Sequence, residues 1–207
     1  MNEISKLFQH IGIWCYKLFG KISNPYSKIR DYVYSGWWSS KINSKNCIFK
    51  FPLSSFTGFR YFKVSAGCTF GKFSVLSAWS TFNNKKYFPK ITIGENCRFG
   101  DYLHLTSINE IKIGKNVLTG RWVTISDNSH GFNTFEEMNV APNKRELHSK
   151  GPVIIEDNVW IGDKVTILPG VTIGVGSIIG ANSVVTKDIP SFCIAAGNPC
   201  KIIRILK

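Results

Sequence analysis

The sequence predicts an all-β protein built as a parallel β-helix, and three observations lead to that class. Aliphatic residues recur every six positions from Ile155 to Val185 without a break. Small or β-branched residues follow four positions later, beginning at Val159. A six-residue step advances about 600° around an α-helix, so a helix would not keep these residues on one face. Short strands joined by sharp corners do keep them on one face, with three hexads closing one coil.

The hexad pattern covers most of the chain, and we predict a β-helix over residues 45–190. Glycines follow three of the aliphatic positions, where we place them at corners that allow a positive φ; they are Gly162, Gly174 and Gly180. Further aliphatic or inward positions are Val64, Phe70, Leu76, Ile93, Phe99, Leu105, Ile113, Thr119 and Ile125, with a slip of two residues near Ile111. Cys68 and Ser74 take the small inward position of the earliest hexads.

Two segments interrupt the hexads. Residues 131–151 are polar and follow directly on His130, and a long loop that leaves a rigid scaffold is a common place for function. Residues 80–90 contain Asn83, Asn84, Lys85 and Lys86, and we expect an ordinary exposed excursion there. After residue 190 the hexads end, and residues 191–207 form a short apolar and basic tail.

The charge lies at the front of the chain. Lys and Arg number 26 against 13 Asp and Glu, a formal net charge of +13. Residues 1–90 hold 14 basic and 2 acidic residues, a net charge of +12, so the remainder is nearly neutral. A nearly neutral solenoid does not call for a nucleic-acid partner, and no recognised nucleic-acid-binding module accompanies the basic front end.

Residues 1–44 form the predicted N-terminal segment. Apolar residues from Ile4 to Ile22 recur at threes and fours between lysines, which predicts a basic amphipathic helix. The apolar run is too short for a secretory signal, so we expect a cytoplasmic protein. Two alternatives stay open for the helix: residues 1–40 contact the anionic inner face of the membrane, or the helix covers the open first coil of the solenoid.

Cysteine and histidine spacing does not suggest a metal site. The six cysteines form no CxxC pair, and we expect reduced, buried thiols. A zinc-dependent β-helix enzyme would need three converging histidines, whereas the chain has His10, His104, His130 and His148 without such spacing.

The chain resembles the hexapeptide-repeat acyltransferases, which are left-handed β-helix enzymes that use acetyl-CoA. The arrangement is most similar to bacterial enzymes that O-acetylate surface polysaccharides or lipopolysaccharides. The resemblance spans about residues 64–204. The segments that carry it are ISDNSHGF (125–132), SKGPV (149–153), NVWIGDKVTILPGVTIG (158–174), IGANSVVTKDIP (179–190) and AAGNPCKIIR (195–204).

The resemblance implies a general base at His130, which would take the proton of a sugar hydroxyl; the ordinary pKa of histidine suits that task near neutral pH. Asp127 either orients His130 or caps a turn. His104 has the same hexad phase as His130, so we expect it to project from the same corner line. The resemblance places acceptor-binding polar residues in this region, which implies an acceptor contact for His104.

The resemblance also implies the donor contacts. The pantetheine arm of acetyl-CoA is expected to run along the C-terminal coils, with cationic side chains at its phosphates. The implied residues are Trp160, Asp163, Ala181, Thr186, Lys187, Lys201 and Arg204, and Lys201 stands where the family often has arginine.

We therefore expect an O-acetyltransferase of a surface polysaccharide or its lipid-linked precursor, with no metal. The resemblance also implies a homotrimer whose sites lie between subunits. Two alternatives stay open: an N-acetyltransferase of a nucleotide-linked amino sugar, and a non-catalytic scaffold or glycan-binding module.

Overall fold

The structure is a computed structural model that describes residues 25–132 and 134–206. The predicted helix of residues 4–22 lies outside the described residues. Residues 25–41 are helical (α1), and the rest of the described chain is almost entirely short strands and turns. Within this described part, no helix is both long and apolar enough to cross a membrane.

Most of the strands belong to three sheets, which are parallel apart from the last strand of the first one. Sheet A contains β1 (Ile48–Phe49), β4 (Thr69–Phe70), β11 (Leu118–Thr119), β16 (Trp160–Ile161), β19 (Ile178–Ile179), β21 (Cys193–Ala196) and β22 (Lys201–Ile205). Sheet B contains β2 (Ser55–Thr57), β5 (Val75–Ala78), β9 (His104–Ser107), β12 (Thr124–Ser126), β17 (Thr166–Ile167) and β20 (Val184–Val185). Sheet C contains β3 (Phe62–Val64), β8 (Lys90–Ile93), β10 (Glu110–Ile113), β15 (Val153–Ile155) and β18 (Thr172–Ile173).

The chain passes through sheets B, C and A in turn, and each pass pairs in parallel with the next. Residue 154 pairs with residue 172, 160 with 178, and 166 with 184, so one regular coil takes 18 residues, or three hexads. This is the strand pairing of a parallel β-helix.

The inward positions are those that the hexads predict. The six aliphatic residues from Ile155 to Val185 are at most 1% exposed. The second inward column is also buried, including Val159, Ser177 and Cys68. Full burial of one such aliphatic side chain stabilises the fold by about 1.5–3 kcal/mol, so the repeat itself supplies most of the core.

Gly162, Gly174 and Gly180 do not have the positive φ that the predicted corners would allow. The positive-φ corner residues of these coils are Asn158, Lys164, Gly170, Gly176 and Asn182. Gly162 is required for a different reason: a Cβ there would lie 2.6 Å from the backbone nitrogen of Ala181 in the next coil. Close stacking of the coils, rather than backbone conformation, selects glycine at these positions.

Helix α1 covers the first coil. Ser35 is buried and its hydroxyl accepts a hydrogen bond from the Phe49 amide at 2.8 Å. The Trp38 ring packs on Phe56, with ring centroids 4.7 Å apart. Residues 25–41 therefore pack on the first coil, whereas the two alternatives for the predicted helix of residues 4–22 concern residues outside the described chain.

Two antiparallel hairpins leave the solenoid where sheet B passes to sheet C, which we call the B/C corner. The first hairpin has strands β6 (Thr81–Phe82) and β7 (Lys85–Lys86). The second has strands β13 (Ser129–His130) and β14 (Leu147–His148) and carries 3-10 turns at Glu136–Asn139 and Pro142–Lys144. A further 3-10 turn, Phe59–Tyr61, precedes β3.

The predicted tail continues sheet A. Strand β21 pairs in parallel with β19, and β22 turns back to pair antiparallel with β21. The last strand of the described chain thus closes the edge of the sheet that carries Trp160.

Candidate active site

His130 lies at the mouth of the longer excursion. It is exposed, it pairs across the hairpin with Leu147, and its ring meets the Phe82 ring edge-on at 5.4 Å. The neighbouring pair, Ser129 and His148, fixes the same hairpin. An exposed imidazole on a hairpin held at both strands is suited to receive a proton from a bound hydroxyl.

Asp127 fixes the turn from which this excursion departs. It is fully buried, and its carboxylate accepts hydrogen bonds from the Ser107 hydroxyl at 2.5 Å and from the backbone amides of Ile108 and Asn109 at 2.9 Å each. The Asn128 side-chain amide also donates to it at 3.0 Å. Among the contacts of the described residues, none joins Asp127 to His130, so the geometry matches the turn-capping alternative.

His104 does not lie on the corner line of His130, and that prediction is wrong. His104 begins β9 and pairs with Thr124 of β12, six residues before His130. Hexad phase fixes a residue's position along one side of a coil but not which of three sides it occupies. Partial desolvation on sheet B lowers the pKa of His104 below its usual value.

Trp160 lies on the outer face of sheet A, half exposed at 52%. The strand register places Ile178, Ile194 and Arg204 beside it in succession, one per strand. At about 4.8 Å between neighbouring strands, this row measures about 14 Å from Trp160 to Arg204. Lys201 pairs with Ala196 further along β21.

The other predicted donor residues lie at two corners. The Asp163 carboxylate accepts a hydrogen bond from the Arg121 amide at 2.8 Å where sheet A passes to sheet B. Ala181 lies beside it, one coil on, and no hydrogen bond within the described chain uses its amide. Thr186 and Lys187 are exposed and follow β20, at the B/C corner.

A single chain therefore does not gather the whole predicted set. His130, Thr186 and Lys187 lie at the B/C corner, whereas Trp160 and Arg204 lie on sheet A, which does not border that corner. Hexad counting places each residue on a coil, but the separation emerges only when the three sheets are assembled.

The 80–90 segment was expected to be an ordinary excursion, but it contacts the excursion that carries His130. Besides the Phe82–His130 contact, Lys85 forms an ion pair with Glu146, and the Leu147 amide donates to the Tyr87 hydroxyl at 3.0 Å. The sequence held one signal of this, since both interruptions of the hexads fall between a sheet B strand and a sheet C strand.

In the described part of the chain, no three His, Cys, Asp or Glu side chains are grouped so that they could hold a metal ion. The described cysteines form no disulfide; four are buried and Cys200 is partly buried.

Comparisons with known proteins point to one family. The family model described as bacterial transferase hexapeptide (six repeats) matches residues 152–187. A protein of Escherichia coli K12 named "Putative lipopolysaccharide biosynthesis O-acetyl transferase WbbJ" is 42% identical over 118 residues, covering 55% of this chain and 60% of that protein. The galactoside O-acetyltransferase of the same organism is 43% identical over 125 residues, covering 57% of this chain and 55% of that protein.

The chain thus aligns with little more than half the length of these curated relatives. Among solved structures, a hexapeptide-repeat containing acetyltransferase of Vibrio cholerae O1 biovar eltor, in complex with acetyl coenzyme A, is 30% identical. The match covers 68% of this chain and 72% of that one, with a TM-score of 0.51. With its hexads buried as predicted and its coils paired in register, the chain belongs to the hexapeptide-repeat acetyltransferase family.

Proposed function

We propose that the protein is an acetyl-CoA-dependent O-acetyltransferase that acts on a hydroxyl of a bacterial surface polysaccharide or its lipid-linked precursor. The observation that carries the proposal is the placement of His130, exposed and held by a hairpin at a corner of a family scaffold. The names of the relatives support O-acetylation of sugars. The proposed hand of the solenoid is left-handed, as in the family that it resembles.

His130 acts as general base in the proposed reaction. It accepts the proton of the acceptor hydroxyl as the hydroxyl oxygen attacks the thioester carbonyl of acetyl-CoA. The carbon–sulfur bond then breaks, the acetyl group stays on the sugar oxygen, and coenzyme A leaves as the thiol after taking up a proton. His104 is proposed to contact the acceptor from sheet B, and Asp127 to hold the turn before His130.

The donor is proposed to lie across the outer face of sheet A. The row from Trp160 to Arg204 offers an indole beside the thioester end, aliphatic contacts at Ile178 and Ile194, and a guanidinium for a phosphate. The unused Ala181 amide is available to a carbonyl of the pantetheine arm. Asp163, Thr186, Lys187 and Lys201 complete the proposed set.

The proposed assembly is a homotrimer with sites between subunits. Support comes from the separation described above: His130 lies at the B/C corner and Trp160 on the sheet that does not border it. In a ring of subunits, the corner of one chain can face sheet A of the next, which would bring the base to the thioester.

The front end is proposed to hold the protein at the cytoplasmic face of the membrane. Helix α1 exposes an apolar stripe of Tyr26, Ile29, Val33 and Trp37, which are 52–71% exposed. Lys41 lies beside this stripe, 4.1 Å from the Trp37 ring centroid. Apolar residues flanked by cations suit an anionic lipid surface.

The proposed division of the chain has three parts. They are an N-terminal segment (1–44), a catalytic solenoid (45–190) and a tail (191–207).

The proposed activity is tested by incubating the purified protein with acetyl-CoA and measuring release of free coenzyme A. Release with hydroxyl-bearing glycans is expected, and His130→Ala should reduce it at least a hundredfold while Lys144→Ala, in the same excursion, leaves it unchanged. Release only with amino-sugar nucleotides would contradict O-acetylation. In cells, equal acetylation of the surface glycan by wild type and His130→Ala at equal protein levels would refute the role of His130.

A further inference from the structure

The two excursions line a cleft that includes Leu147, the residue paired with His130 across the hairpin; His130 itself is not part of the lining. The cleft has a volume of about 360 Å³, and its lining includes Lys86, Phe132 and His148. Leu147 and Ile108 contribute apolar surface to it. Because His148 and Leu147 pair across the hairpin with Ser129 and His130, the cleft begins within one residue pair of the proposed base.

Contacts between the excursions give the cleft its shape. In addition to the Phe82–His130 ring contact, the side-chain amide of Asn83 donates to the Asn143 carbonyl at 2.9 Å. The tip of the first hairpin is therefore tied to the second excursion at two adjacent residues, Phe82 and Asn83. The side-chain amide of Asn109, on the short connection between β9 and β10, reaches Ser149 at 3.3 Å.

The cleft is cationic. Its lining contains two lysines and a histidine and no Asp or Glu. Lys85 is balanced by its ion pair with Glu146, whereas none of the ion pairs of the described residues includes Lys86. The uncompensated charge in the cleft is therefore that of Lys86.

An aromatic surface lies beside this charge. The Phe132 ring is 51% exposed and packs against His148, with ring centroids 4.1 Å apart. The exposed Phe132 ring can pack against a sugar ring. The Lys86 ammonium and a ring N–H of His148 can donate hydrogen bonds to a negative group on that sugar. A neutral sugar would leave the Lys86 ammonium unused.

We propose that this cleft binds an anionic group of the acceptor glycan, either a sugar carboxylate or a phosphate, through Lys86 and His148, with a sugar ring against Phe132. The inference rests on the proposed O-acetyltransferase function and assigns the 80–90 hairpin to acceptor selection. The acceptor hydroxyl that reacts would be on the anionic sugar or on a nearby one, since Leu147, the hairpin partner of His130, lines the cleft.

The test compares matched acceptors with the full-length protein at low salt. The pairs are glucuronic acid oligomers against glucose oligomers, and glucose 1-phosphate against glucose. We expect kcat/KM for coenzyme A release to be about tenfold higher for one anionic member than for its neutral partner. Preference in the first pair identifies a carboxylate, and preference in the second a phosphate.

Lys86→Gln should reduce the preference to less than about twofold, because it lowers kcat/KM for the anionic acceptor. Lys144→Gln removes the same charge from the same region outside the cleft and should keep the preference. Equal kcat/KM within both pairs, or a preference that survives Lys86→Gln, would overturn the inference.

Binding distinguishes failure of this inference from failure of the proposed function. Saturation-transfer NMR of the same acceptors, with no donor present, reports occupancy of the cleft whether or not acetyl transfer occurs. Lys86-dependent binding of the anionic members without any coenzyme A release would support the cleft and contradict the O-acetyltransferase. Release of coenzyme A with equal binding of neutral and anionic members would support the O-acetyltransferase and contradict the anion-binding cleft.

Discussion

The Tyr102 and Trp122 rings stack on one another, with centroids 4.9 Å apart and planes 7° from parallel, although both residues have positive φ. Phe73 extends the stack at 5.1 Å, and the Lys164 ammonium lies 6.0 Å from the Trp122 ring centroid. All four residues occupy the same corner of successive coils in the left-handed conformation, which bulky residues rarely adopt. Ring stacking offsets this backbone cost.

We predict that Trp122→Ala lowers the free energy of unfolding by about 2–3 kcal/mol, because it removes the stacking and keeps the unfavourable φ. Trp122→Gly removes the same ring but relieves the backbone. It should therefore be about 1 kcal/mol more stable than Trp122→Ala in urea unfolding. A glycine variant less stable than the alanine variant would contradict this account of the corner.

Substituting alanine for glycine should have opposite effects at two positions. A Cβ at Gly36, in α1, would meet no atom within 4 Å, and Gly36→Ala should stabilise the protein by about 0.5–1 kcal/mol through helix propensity. A Cβ at Gly162 would clash with the backbone of the next coil. Gly162→Ala should therefore lower the melting temperature of the protein by several degrees. Melting curves of both variants, taken under the same conditions, provide the test.

Asp127→Asn should act on stability rather than on the chemistry of His130. The carboxylate accepts hydrogen bonds from Ser107 and from two backbone amides, so we expect a loss of about 2 kcal/mol in the free energy of unfolding. The pH dependence of kcat should stay that of the wild type. A shifted pH profile in fully folded protein would instead assign Asp127 to the orientation of His130.

The buried thiols should resist modification in the native protein. Contact with Cys47 lowers the pKa of Cys68, whereas contact with Cys97 and burial raise it. The resulting pKa of Cys68 is about 11. The other described cysteines except Cys200 are buried as well, so at pH 8 a Cys15→Ser variant should react with a thiol reagent at Cys200 at most, and at the rest only after unfolding. Rapid labelling of Cys68 before unfolding would show that the first coils open.

The apolar stripe of α1 gives a prediction for membrane contact. Ile29→Ser with Val33→Ser should abolish co-sedimentation with vesicles that contain anionic lipid, because both side chains are more than 60% exposed and their loss leaves the core intact. Ile203→Ser, an equally exposed aliphatic position in β22, serves as the control. Unchanged vesicle binding of the double variant with an unchanged melting temperature would exclude this face as the membrane contact.

The hexad period by itself determined the solenoid. Each coil stacks the same residue class at the same place, so burial of Ile161, Ile167 and Val185 follows from their spacing alone. The segment around His130 was equally visible, because a break in a strict repeat marks where the chain leaves the scaffold.

The tertiary structure decided which residues meet. Residues 80–90 and 129–148 are far apart in sequence, and only the pairing of sheet B strands brings both excursions to one corner beside His130. The partners of Asp127 and the glycine requirement at Gly162 likewise come from the neighbouring coil. A periodic sequence specifies position within a coil, because local spacing sets it. Contacts between coils depend on insertion lengths and register, which exist only once the coils are stacked.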